Sequence, residues 1–280
     1  MPAESANKKI FLTGASAGIG LAIAQRLSRD NDCEIWGTSR NLSRLPQLPR
    51  FHPVEMDLQS PDNIRRAFAT AREQSGGFTA LINNAGAGAF GPAETMTAEI
   101  VRDQFQLLAD APMELIRLAL PDMLRNKPSQ TRRRGRGRHT GIIINITSLA
   151  AVFPIPFMSA YNAAKAALSS HTRCLRLELA DTPVRVVEIQ PGDINTGFHD
   201  ATKRFADPRT DGVWRLQQET MRAAPSPDRV AEVVAKTLRQ TNPPPVIVVG
   251  NFEQSKLAPL AARILPARWM EKILRRHYRL

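Results

Sequence analysis

The run KIFLTGASAGIGLAIAQRL joins a short apolar strand to an amphipathic helix through three glycines, and that join restricts the folds open to the chain. The residues before Thr13 fit a buried strand, whereas Ile19, Ala22, Ile23 and Leu27 recur at helical spacing on one face. Gly14 permits the tight turn, and Gly18 and Gly20 let backbone approach an anionic group. Free N–H groups and the macrodipole at the helix start favour an anion there, a pyrophosphate above all.

The same alternation recurs along the chain. CEIWGTS, FHPVEM, TALINN, GIIINI, VRVVEI and VIVVG read as further strands. Pro61 opens a helix at a favoured first-turn position, and helices also start near Ser159 and Asp228. A long helix is expected over 97–124, with Pro112 inside it predicting a kink. The stretch 191–227 has no strong period and reads as loop with short helices. Continuous Val/Ile-rich strands between helices define an α/β fold: a doubly wound, Rossmann-type parallel sheet of about seven strands with helices on both faces. No linker interrupts the 280 residues, so one domain is expected over 1–280.

The net charge of +12 is unevenly placed. The stretch 126–139 carries one Lys and five Arg without an acid, and 256–280 carries seven basic residues against Glu271, leaving 25 basic and 25 acidic residues elsewhere. The body is neutral, with a basic insertion at 126–140 and a basic helical extension at 255–280. That distribution argues against a nucleic-acid groove built into the fold. The apolar runs are too short for a membrane span, the start MPAESANKK lacks a signal-peptide core, and two cysteines form no disulfide framework or metal site. A reducing, cytoplasmic location without a bound metal is the expectation.

The glycine spacing here is G-x3-G-x-G rather than the G-x-G-x-x-G common in dinucleotide-binding turns. The end of the second strand normally selects the cofactor: an acid there binds ribose hydroxyls, whereas a basic residue accepts a 2′-phosphate. This chain reads GTSRN, with Ser39 and Arg40 and no acid, which predicts NADP(H).

With these motifs in their order, the chain resembles the short-chain dehydrogenase/reductase family over nearly its whole length. TGASAGIG matches the cofactor turn, MDL the acid after the third strand, and NNAG the segment after the fourth. Ser148 closes the fifth strand, Tyr161-x3-Lys165 starts the next helix, and PGDINT follows the sixth strand. The resemblance implies that Gly14, Ser16, Gly18, Ile19 and Gly20 hold the cofactor's phosphates. It gives Ser39 and Arg40 to the adenosine ribose and Asp57 and Leu58 to adenine. Asn83, Asn84, Ala85 and Gly86 would line the cleft, and Pro191, Gly192, Ile194 and Thr196 would hold the carboxamide end.

The resemblance also implies the catalytic roles. Tyr161 would protonate the carbonyl oxygen in reduction, or take the alcohol proton in oxidation. A free phenol titrates near ~10, and the Lys165 ammonium would lower that value. Lys165 would also bind the nicotinamide ribose, and Ser148 would orient the substrate oxygen. The family usually carries an Asn thirteen residues before the proline of LALP, where it holds a water in a proton relay. That position is Leu108 here. Leucine cannot hold the water, so two readings stay open: an active enzyme whose relay is slower or rerouted through Asp110 or water, or a cofactor-binding protein with weak or no catalysis.

Ile194, Phe198, His199, Phe205, Val213, Trp214, Leu216 and Met221, together with Val152, Phe153, Ile155 and Phe157, predict an apolar substrate pocket. A lipophilic ketone or alcohol fits it, such as a steroid, a retinoid-like molecule or an acyl chain. The tail LAARILPARWMEKILRRHYRL resembles the extension of retinol- and steroid-type family members. Its Ile264, Leu265, Trp269, Ile273 and Leu274 suit docking on the protein or peripheral contact with an anionic membrane. The family commonly forms homodimers or homotetramers through the helices of 97–124 and 159–180.

Overall fold

Ile10 and Leu12 point to one side of the first strand and Phe11 to the other, and all three are fully buried. A strand covered on both faces must sit inside a sheet sandwiched by helices. The computed structural model describes residues 8–125 and 139–280, so nearly all of the basic insertion lies outside the described residues. Within them seven strands form the main sheet: β1 (Lys8–Leu12), β2 (Cys33–Ser39), β3 (Phe51–Glu55), β4 (Ala80–Asn83), β5 (Gly141–Ile146), β6 (Val184–Pro191) and β7 (Val246–Val249). All pair in parallel, in the order β3-β2-β1-β4-β5-β6-β7. Pro53 is tolerated because β3 is an edge strand.

Ten helices surround the sheet among the described residues. They are α1 (Gly18–Leu27), α2 (Pro61–Ser75), α3 (Ala98–Phe105), α4 (Ala111–Arg125), α5 (Ser159–Glu178), α6 (Phe198–Ala201), α7 (Asp211–Arg222), α8 (Asp228–Thr237), α9 (Ala258–Ile264) and α10 (Ala267–Tyr278). Ile23 and Leu27 of α1 and Val230 and Val234 of α8 pack on Ile10, Leu12, Ile144 and Ile189. On the other face Phe68 of α2 and Leu115 and Ile116 of α4 pack on Phe11, Leu81 and Ile143. A third cluster of Phe90, Leu108, Met158, Tyr161, Val213 and Trp214 lies apart from both sheet-face cores.

Two expectations need correction. The helix over 97–124 is not continuous: a π-helical turn, Gln106–Asp110, separates α3 from α4, and Ala111 N–H reaches Gln106 O. Pro112 has no N–H to continue the regular ladder, so the wider turn precedes it. Within 191–227 the structure holds the twelve-residue helix α7, longer than the sequence pattern predicts. Its Val213, Trp214 and Gln217 are buried at one-turn spacing. A two-residue parallel ladder, Ala89–Phe90 against Lys203–Arg204, ties this region to the segment after β4.

Candidate active site

Strand order reverses between β1 and β4, and a cleft opens there at the C-terminal strand ends, as expected at a topological switch point. Its volume is about 1080 Å³. One half is walled mainly by the glycine turn and the strand ends. Gly14 takes φ +72°, and a Cβ there would sit 2.9 Å from Ala85 Cα. Ala17 is the N-cap of α1 and offers no side-chain hydrogen bond, so the first N–H groups of the helix stay free. Free donors and a glycine cradle, together with Ser16, Gly18 and Ile19 on the wall, fit a dinucleotide pyrophosphate.

Ser39, Arg40, Asp57, Leu58, Asn84, Ala85, Gly86, Pro191, Gly192, Ile194 and Thr196 all line the same cleft. Two of the expected cofactor residues do not. Gly20 packs inside the turn, where a Cβ would lie 2.0 Å from Gly14 O. Its need for hydrogen is set by helix packing rather than by ligand approach. Asn83 is the last residue of β4 and points into the sheet–helix interior, donating to Asn145 Oδ1 at 2.8 Å. Asn84 faces the other way and donates to Thr13 O at 2.9 Å, pinning the glycine turn to the end of β4. Arg44, unmarked by any motif, also lines the cleft beside Arg40. Neither arginine has a carboxylate partner among the described residues.

The catalytic candidates meet at the centre. Ser148 lies just beyond β5, and its Oγ accepts from Ala150 N–H at 3.0 Å. Its hydroxyl proton is thereby left to donate elsewhere. Tyr161 and Lys165 both lie on the inward face of α5, buried at 7% and 4% exposure. Burial pushes the Tyr161 phenol up to about 12, partly opposed by its hydrogen bond with Ser148. Burial pushes the Lys165 ammonium down to about 8, opposed by the Glu188 carboxylate. Lys165 Nζ donates to Ile146 O at 2.9 Å and sits 6.0 Å from the Tyr161 ring centre. Leu108 is fully buried, and a Cβ on Gly86 would lie 3.1 Å from Leu108 Cδ2 and 3.8 Å from Lys165 Nζ. The leucine therefore stands beside the lysine, as the motif spacing predicts.

The other half of the cleft is apolar. Phe153, Ile155, Phe198 and Met221 line it, and Phe198 meets Tyr161 edge-on at 5.5 Å. Phe157, Val213 and Trp214 instead belong to the core beneath, where Trp214 packs on Phe90 at 4.8 Å. The tail docks on the body and adds a wall to the cleft, a place that its amphipathic pattern does not specify. Leu257, Ala261, Met270, Ile273 and Leu274 all face the cleft. Gln254 fixes the tail's root: its Nε2 donates to Asp193 Oδ2 at 2.7 Å, and its Oε1 accepts from Asp193 N–H at 3.2 Å. One grouping of metal-ligand type among the described residues, Asp30, Asp32 and Cys33, sits at the other end of β2. There Lys8, Arg26 and Arg239 neutralise its carboxylates.

A phenol, a lysine and a serine gathered in one cleft at the topological switch point have the chemistry a carbonyl–alcohol oxidoreductase site requires. The chain belongs to the short-chain dehydrogenase family, whose model matches residues 8–206. It is 30% identical over 278 residues to a 3-ketodihydrosphingosine reductase of Bacteroides thetaiotaomicron, covering 96% of this chain and 97% of that one. It is 29% identical to an NADPH-dependent 1-acyldihydroxyacetone phosphate reductase of Schizosaccharomyces pombe, over 68% of this chain and 61% of that one. Among solved structures, a short-chain dehydrogenase from Streptomyces avermitilis superposes with a TM-score of 0.80 at 25% identity, covering 98% of each chain. L-sorbose reductase from Gluconobacter frateurii, complexed with NADPH and L-sorbose, does so with 0.71 at 27% identity, over 87% and 95%. The chain is thus a short-chain dehydrogenase/reductase enzyme with ketoreductase relatives.

Proposed function

We propose that the protein is an NADP(H)-dependent reductase that interconverts a carbonyl and an alcohol on a lipophilic substrate carrying an acyl or comparable hydrocarbon chain. The observation that carries this reading is the two-sided cleft: unpaired Arg40 and Arg44 at the adenosine end, and an apolar chamber beside Tyr161 at the other. The cofactor supplies the hydride. Ser148 and Tyr161 hold the carbonyl oxygen, and Tyr161, protonated at neutral pH, donates its proton to that oxygen. Lys165 keeps positive charge beside the phenolate so formed, and the tail and Phe198 keep water from the reacting carbon. A panel of ketones of increasing chain length, each with NADPH and NADH, tests the reading. Turnover with NADPH that improves with chain length supports it. Tight NADPH binding without turnover, with turnover appearing in Leu108→Asn, supports the binding-protein alternative.

We further infer that the enzyme meets its substrate at an anionic bilayer. Leu260 (55% exposed), Ile264 (67%) and Trp269 (60%) face away from the cleft that the same helices wall. On α10 Trp269 lies outside the cleft-facing Met270, Ile273 and Leu274, while Arg268, Lys272, Arg275 and Arg276 lie across the helix from those three. A second copy docking symmetrically here would oppose like charges, whereas anionic headgroups complement them. Among the described residues no helix is long and apolar enough to cross a membrane. Co-sedimentation with phosphatidylglycerol-containing vesicles is expected for the wild type and lost in Ile264→Glu/Trp269→Glu. A wild type that stays in the supernatant, or a dimer that the double variant splits, contradicts it.

A further inference from the structure

The inward face of α5 should be apolar where it crosses the sheet, yet among its buried alanines and leucines it carries a line of polar side chains. Lys165, Ser169 and Thr172 lie on it at one-turn spacing, exposed by only 4%, 3% and 0%. Across from them the sheet presents Asn83, Asn145 and Glu188, exposed by 3%, 0% and 0%. Asn145 pairs in register with Glu188 on the neighbouring strand and donates to Thr172 Oγ1 at 2.8 Å. A seam of this kind costs stability unless its groups are paired, because buried polar atoms lose their water.

The pairing is incomplete in a particular way. Glu188 Oε1 accepts from Thr147 Oγ1 and from Gln190 Nε2, each at 2.8 Å. Glu188 Oε2 has no hydrogen-bond partner, and neither has Ser169 Oγ or Asn83 Oδ1. Thr147 follows Ile146, whose carbonyl holds Lys165 Nζ, so the lysine and the carboxylate are bound to adjoining residues of one strand end. At the outer end, Arg173 Nε lies 3.9 Å from Glu188 Oε2, and the arginine side chain is 60% exposed. Near Lys165, around Gly86, also stands the hydrocarbon of Leu108, which can neither donate nor accept a proton.

Each carbonyl reduction consumes one hydride and one proton. When Tyr161 gives its proton to the new alkoxide oxygen, the phenolate must be reprotonated before the next turnover. We propose that Glu188 is a positioning residue for Lys165 and that the seam from Lys165 past Thr147 and Glu188 to Arg173 brings that proton in from solvent. The Lys165 ammonium yields a proton to restore the phenol. The neutral amine is then reprotonated through Glu188, whose carboxylate takes a proton from water at Arg173, passes it on and returns to the carboxylate. Over a cycle one solvent proton enters and no group in the seam changes state; in oxidation the proton leaves by the same way. The orphaned oxygens of Glu188, Ser169 and Asn83 are the sites where ordered water would complete the chain. Charged groups facing Glu188 are Lys165 and Arg173, both from α5.

The proposal rests on the carbonyl reductase reading above, and one set of measurements separates the two. With NADPH and a ketone that the wild type reduces, kcat is measured against pH, in water and deuterium oxide, for wild type, Glu188→Gln and the surface variant Arg173→Gln. Glu188→Gln should bind NADPH within about twofold of wild type. Its kcat should fall at least roughly tenfold, by loss of a proton-transfer group. Its solvent isotope effect should rise, and the limb assigned to Lys165 should move to lower pH, because a carboxylate that favours the ammonium is gone. Arg173→Gln, which needs no core change, should move that limb to higher pH. Unchanged pH profiles and isotope effects in both variants overturn the conduit while leaving the reductase reading intact. A wild type that reduces no ketone overturns both.

Discussion

The two halves of the cleft are built on different physical terms. The cofactor half is a surface of backbone: glycines at fixed φ, strand ends, and a helix start with free N–H groups. Its shape follows from the sheet, and few residue types satisfy it. The substrate half is a surface of side chains drawn from α6, α7, α9 and α10 and from the loop before α5. Many apolar residues would serve there, so its shape depends on how the tail docks. The difference teaches where changes will abolish the reaction and where they will only redirect it.

The largest effect belongs at the junction of the halves. Tyr161→Phe should lower kcat by roughly 10²–10⁴-fold, the usual worth of a positioned general acid, with NADPH affinity unchanged by fluorescence titration. Lys165→Met should be comparably damaging to turnover yet should raise the melting temperature near neutral pH. The folded-state value of Lys165 is about 8 against 10.5 when free, so the buried ammonium destabilises the fold fully below pH 8. That penalty fades as pH rises towards 10.5. A shift of this size corresponds to an upper bound on the order of 3 kcal/mol. Thermal unfolding of both proteins at neutral and alkaline pH should therefore converge as pH rises.

Within the cofactor half, Gly14→Ala forces an L side chain to a left-handed φ, costing about 1–2 kcal/mol, and pushes on Ala85. Both stability and NADPH affinity should drop. Arg40→Ala/Arg44→Ala should leave NADH binding intact but weaken NADPH roughly 10–100-fold, the worth of charge-assisted hydrogen bonds of about 1.5–3 kcal/mol. The smallest effect lies in the substrate half. Gln254→Ala removes the two hydrogen bonds with Asp193 that seat the tail, so KM for long-chain ketones should rise by about threefold to tenfold, the worth of a net hydrogen bond of about 1 kcal/mol, while NADPH affinity stays constant.

The doubly wound parallel sheet of seven strands was legible because strand periodicity and glycine turns have few alternative explanations, whereas the gathering of Ser148, Tyr161 and Lys165 at one cleft was implied only by the family resemblance. Asn83 and Asn84 show the limit. They are adjacent in a strand end, so one side chain must face the interior and the other the cleft, and a motif naming both cannot say which. Gly20, expected at the phosphates, packs against Gly14 O inside the turn, a close approach that the glycine spacing alone cannot tell from ligand contact. Glu188 carries no signal at all: it interrupts an apolar strand, and only the register against Asn145 brings it near the lysine's strand end. The tail's periodicity marked an amphipathic segment, but its division into α9 and α10 at Pro266, and its placement over the cleft, are products of tertiary docking.

The proposed reaction spends NADPH on a carbonyl borne by a hydrocarbon chain. The direct measurement is NADPH oxidation coupled to alcohol formation for a homologous series of 3-keto acyl compounds of increasing length. The account predicts one NADPH consumed per alcohol formed and a kcat/KM that climbs with chain length as Phe153, Phe198, Met221 and Leu274 are engaged, with NADH a poor substitute. A kcat/KM independent of chain length, equal use of NADH, or bound NADPH that is never oxidised would contradict it.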